Sequence, residues 1–84
     1  MAKIYTTNNQ VRDVEPRNGL NFELDELQNI VGGHIELVYL HDNEIMVVNE
    51  EGHLLNLDFN HHATRLSQCM IVGDVLVCRS DQVL

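Results

Sequence analysis

The sequence predicts an α+β domain: a single mixed or mostly antiparallel sheet of about five to six short strands, with two helices on one face. Two observations carry that prediction. Short β-branched and aromatic runs recur between turn residues along the whole chain. One segment, 21–31, instead spaces its apolar residues for a helix and stops at Gly32-Gly33, as helices do when a glycine caps them.

The elements follow in order. "KIYTT" (3–7) reads as a strand, and "VRDV" (11–14) alternates apolar and charged residues and pairs with it across "NNQ". "EPRNG" is a loop. Asn21 is then the expected N-cap, with Glu23, Asp25 and Glu26 at the positive end of the helix dipole and Leu24, Leu27, Ile30 and Val31 on one face. "HIELVYL" (34–40) is a strand, and "IMVVN" (45–49) is apolar on both faces, so it belongs inside the sheet. "EEG" is a tight reversal around Gly52, and "HLLNL" returns as a further strand. Asn60 caps a short helix through Leu66 with Ala63 and Leu66 inward, and "VLVC" (75–78) is a second two-sided strand. The tail "RSDQVL" is expected to fray or to lie along an edge.

Eighty-four residues give one domain, 1–84, with a modest core that a homo-oligomer would usefully enlarge. The apolar share of 44% and the single Pro16 argue against disorder. No run reaches the ~18 apolar residues of a membrane span, and "MAKIYTTNNQ" lacks a signal peptide's apolar stretch, so a cytoplasmic protein without a membrane partner is expected. Cys69 and Cys78 would stand ~30 Å apart along a continuous strand, although a reversal at Gly73-Asp74 would shorten that; buried free thiols are expected.

Charge is the most unusual bulk property. The net charge is −8, and from Asn18 to Thr64 no Lys or Arg occurs among Glu23, Asp25, Glu26, Glu36, Asp42, Glu44, Glu50, Glu51 and Asp58. Such a field repels phosphate backbones and attracts a basic protein surface, so direct nucleic-acid binding is not expected. Solubility is the plainer reason for the same acidity, and three of these carboxylates already serve a helix start.

Candidate chemistry is sparse. His53, His61 and His62 form the one histidine cluster, but neighbours on a helix diverge by about 100°, and no Cys-x-x-Cys spacing supplies further zinc ligands. Ser67 and Ser80 lack a nucleophile-elbow context, and adjacent Glu50 and Glu51 make no acid–base pair. Gly32-Gly33 follows a helix, whereas phosphate loops precede one. No catalytic residue, metal or cofactor is therefore expected.

The motifs "LQNIVGGHIELVYL", "MVVNEEGHLLNL", "NHHAT" and "IVGDVLV" resemble, in order and spacing, a family of small domains catalogued as domain of unknown function three-eight-four-six. The resemblance covers about Leu24 to Val77 and departs from the family at "NLDF", where a Gly-Leu-Pro-like turn is common. It implies an accessory protein of phages and other mobile elements. It also implies signature positions at Gly32, Gly33, Glu36, Asn49, Glu50, Glu51, Gly52, Asn60, Ala63, Thr64, Gly73 and Asp74. The expected function is thus a non-enzymatic accessory protein acting by protein interaction through an acidic surface, with counter-defence or nucleic-acid mimicry as its strongest form. The alternatives are a sponge for a nucleotide-like ligand, or a structural module with no ligand. The candidate binding residues are Glu36, Asn49, Glu50, Glu51, Asn60, Thr64 and Arg65.

Overall fold

The computed structural model describes residues 2–83. Five strands form one sheet: β1 (Ala2–Tyr5), β2 (Val11–Val14), β3 (Ile35–Tyr39), β4 (Glu44–Asn49) and β5 (Val75–Arg79). Their spatial order is β2-β1-β5-β4-β3, and every neighbouring pair is antiparallel. Two helices accompany them, α1 (Leu24–Val31) and α2 (His61–Ser67), which gives the expected α+β class. β4 and β5 lie in the interior of the sheet, as their unbroken apolar runs require: Ile45 to Val48 and Val75 to Cys78 are all buried.

The helices do not share a face. Ile45, Val47, Leu76, Cys78, Ala2 and Ile4 point to one side, where they pack with Phe22 and with Leu27 and Val31 of α1. Met46, Val48, Val75 and Val77 point to the other, against Ala63 of α2 and Ile71. The expectation of a one-sided cover fails because strands apolar on both faces need a lid on each. α1 supplies one lid as the chain crosses from edge strand β2 to edge strand β3. The 50–74 connection between β4 and β5 supplies the other, with α2 in it.

That connection corrects a second expectation. "HLLNL" is not a strand; residues 51–56 form successive turns, and Leu54 and Leu55 are exposed. β4 already pairs with β3 on one side and β5 on the other, so a returning strand would find no free ladder. "EEG" accordingly opens a loop and not a hairpin: Gly52 N–H donates to Asn49 O (3.2 Å) and Leu57 N–H to Gly52 O (3.1 Å).

Local chemistry sets the helix ends. α1 starts at Leu24 after Glu23, whose N–H donates to Glu26 Oε2 (2.9 Å). Asn21 is not the cap; Asn18 Oδ1 accepts from Leu20 N–H and Asn21 N–H in a turn just upstream. Gly32 does close α1, at φ 82°. In α2, Leu66 is exposed and only Ala63 is fully inward, because seven residues bring one side chain fully under the helix. Cys69 is exposed and Cys78 buried, so one thiol departs from expectation: Cys69 follows α2 in the surface connection, while Cys78 sits on the α1 face of central β5. The described part of the tail, residues 79–83, is docked rather than frayed, and Leu84 lies outside the described residues. One 3-10 turn (Ser80–Gln82) follows β5, Ser80 N–H donates to Asn43 O (2.7 Å), and Phe22 N–H donates to Gln82 O (2.6 Å).

Candidate functional site

Most of the sequence-predicted residues converge on one end of the sheet, where β4 and α1 finish and β5 and α2 begin. Two buried asparagines build that end. Asn49 Nδ2 donates to Val31 O (3.1 Å) and Asn49 Oδ1 accepts from Glu51 N–H (2.8 Å), which ties the last turn of α1 to the loop after β4. Gly33 has to be glycine for this contact, since a Cβ there would stand 2.9 Å from Asn49 Nδ2. Asn60 Oδ1 caps α2 at Ala63 N–H (3.0 Å), while Asn60 Nδ2 donates to Tyr5 O (3.0 Å) and Gly73 O (2.8 Å). One side chain thereby joins β1, α2 and the approach to β5. Thr64 closes the same loop, with Oγ1 accepting from Ile71 N–H (2.9 Å). The polar atoms of these three side chains are engaged by the fold itself.

The charged candidates stand differently. Glu50 and Glu51 are exposed in the turn after β4, and Glu36 is exposed on β3 opposite Val48. At the same end of the sheet lies a cleft of about 260 Å³, lined by Thr7, Ile30, Gly32, Asp58, Gly73 and Asp74 among others. It lies between the C-terminus of α1 and the 57–58 and 73–74 segments. Gly73, at φ 82°, leaves room there for Leu57, whose Cδ1 would stand 2.8 Å from an added Cβ. Asp74 Oδ1 accepts from Thr7 N–H (3.0 Å), which holds its carboxylate at the cleft wall. α1 has no basic residue in its last turn, and no Lys or Arg lines the cleft. Two carboxylates and the negative end of a helix dipole therefore meet there without a cationic side chain among the lining residues. Thr7 and Asp58 were not singled out from sequence as site residues. They reach the cleft only through tertiary contacts, Asp58 O accepting from Gly73 N–H (2.7 Å).

Arg65 stands apart from the cleft. It is exposed on α2 beside a separate hollow that it forms with Asn9, His61 and His62. The two histidine rings go to different aromatic neighbours, His61 edge-on to Phe59 with centroids 4.6 Å apart and His62 to Tyr5 at 5.7 Å. Among the described residues no three His, Cys, Asp or Glu side chains are placed to hold one metal ion, and no helix is long and apolar enough to cross a membrane.

Ten of the thirteen carboxylates divide between the two ends of the sheet. Glu50, Glu51, Asp58 and Asp74 are at the end just described. Glu23, Asp25, Glu26, Asp42, Glu44 and Asp81 are at the other, where Arg17 pairs with Glu23, Asp25 and Glu26, and Arg79 with Asp81. The stretch 18–64 thus does not form one continuous acidic face.

A family model described as a domain of unknown function (DUF3846) matches residues 4–83. No curated protein and no solved structure matches the chain.

Proposed function

The chain belongs to the DUF3846 family, and on that premise we propose a non-enzymatic accessory protein of a phage or mobile element that acts by protein interaction through an acidic surface. The observation that carries this reading is an acidic cleft with no lysine or arginine among its lining residues. Asp58, Asp74 and the α1 C-terminus line a cleft without a cation, and Glu50 and Glu51 stand exposed on the adjoining loop. A lysine or arginine side chain of a partner suits that cleft, and the surrounding carboxylates steer a basic surface toward it. Because the acidic groups are split between two ends, the reading is reception of a short basic segment and not imitation of a long phosphate row. Counter-defence is the role such a surface serves in a mobile element. The cleft has neither a stacking aromatic nor a cationic donor among its lining residues, which leaves the nucleotide-sponge alternative without support there.

The test is a titration with an arginine-rich peptide and a neutral peptide of equal length, followed by amide chemical shifts. The basic peptide is expected to move residues 29–32, 57–58 and 73–74. Replacing Glu50 and Glu51 with lysine should slow association first, and added salt should weaken binding, since exposed charges are screened beyond about 8 Å at physiological ionic strength. Shifts spread equally over both ends of the sheet, or undiminished by the double reversal, would refute the proposal.

A further inference from the structure

The sheet has two edges, and they differ in kind. β2 presents Arg12 and Asp13, charges of the sort that keep an edge from pairing with another chain. β3, "IELVY", carries one charge, Glu36, and no proline or lysine. Ile35, Leu37 and Val38 are half-buried, and Tyr39 is 75% exposed.

The ladder dictates which backbone groups of β3 are free. Leu40 N–H donates to Glu44 O (2.9 Å) and Glu50 N–H to His34 O (2.9 Å), in register with the β3–β4 pairs, so the even-numbered residues exchange bonds with β4. In an antiparallel ladder the alternate residues then turn their N–H and C=O groups the other way. Ile35, Leu37 and Tyr39 therefore offer theirs to the open side of the sheet, where the described residues place no strand.

We propose that β3 is a homodimer seam, pairing antiparallel with β3 of a second copy about a two-fold axis through Leu37. That register sets Leu37 against its own counterpart and Ile35 against the partner's Tyr39, so every outward-facing residue meets an outward-facing residue. Each such pair exchanges both N–H···O bonds. On the α1 face, the exposed Tyr39 ring gains a β-branched partner across the seam, a favourable cross-strand pair. On the α2 face, Glu36 falls opposite Val38 and not opposite a second Glu36. The interface is isologous and joins the two sheets into one. Five residues of strand place it among small, weak interfaces. Two chains of net charge −8 repel, so salt strengthens this association, the reverse of its effect on a complex with a basic partner. The seam does not depend on the proposed binding role.

Sedimentation of the pure protein from about 1 μM to about 1 mM, at about 20 and about 500 mM salt, tests it. The expected result is a monomer–dimer equilibrium in which the dimer fraction rises with both variables. Tyr39→Pro removes an outward N–H while leaving the β3–β4 bonds of the even residues intact, and should sediment as a monomer with an unchanged far-UV spectrum. Tyr39→Lys keeps the N–H but places a charge on the seam, and should lower the dimer fraction at least tenfold. A wild-type protein that stays monomeric throughout would overturn the seam. So would a dimer that weakens with salt, or one that survives in both variants.

Discussion

Asn60 shows how much of this protein rests on single polar side chains. It is fully buried, and its amide joins Ala63 N–H, Tyr5 O and Gly73 O. Asn60→Ala should destabilise by about 2–3 kcal/mol, combining a lost cap with unsatisfied buried carbonyls. Asn60→Asp separates the two contributions. It keeps an acceptor for Ala63 N–H but turns a carboxylate on two carbonyl oxygens, so denaturant melts should place it no better than alanine. The cysteines give a second test at this scale. Cys69 is exposed, whereas burial pushes the Cys78 thiol up to about 11. A maleimide should label one site promptly in the native protein and the second only on unfolding. Two native sites reacting at equal rates would contradict the packing of β5.

At the scale of elements, the start of α1 carries the pH dependence. Arg17 holds the Asp25 carboxyl below the ordinary carboxylate range, mainly through its hydrogen bond. Glu26 is lowered first by the backbone N–H of Glu23 and then by that of Arg17. A carboxylate depressed in the folded state adds stability above its unfolded value, and that stability is lost as pH falls through the folded one. Arg17→Gln should therefore melt below wild type near neutral pH, with the gap closing in acid. A gap that persists unchanged in acid would assign the effect to packing. The elements also show what the sequence made legible. Gly32 and Asn60 marked helix ends because their backbone and side-chain chemistry is local, and "IMVVN" and "VLVC" announced interior strands by being apolar throughout. "HLLNL" misled, since β propensity says nothing about whether a neighbouring strand is free to pair. The placement of the helices was hidden for a related reason: a two-sided strand demands two lids without saying which helix supplies which. Of the site, Glu50, Glu51 and Asp74 were legible as loop residues. The meeting of Asp74 with Thr7 and Asp58 in the cleft depends on contacts far apart in sequence.

For the whole molecule, charge is organised by the ends of the sheet. Arg17 and Arg79 pair with carboxylates at one end, while no lysine or arginine lines the cleft at the other, so the two ends differ in how their carboxylates are partnered. The strand order bears on how such a molecule comes to exist at all. β1–β2 and β3–β4 are local hairpins, yet neither pairs with the other; β5 alone bridges them, Leu76 lying opposite both Ile4 and Val47. Until β5 docks, each hairpin is an isolated two-stranded unit, which is marginal in water. The rate-limiting ensemble should therefore already contain β5, at the entropic cost of closing the long loop back to β1. Leu76→Ala, costing about 2–5 kcal/mol, should slow refolding by most of that amount. If it instead leaves the refolding rate alone and only accelerates unfolding, the hairpins commit to the fold before the strand that unites them arrives.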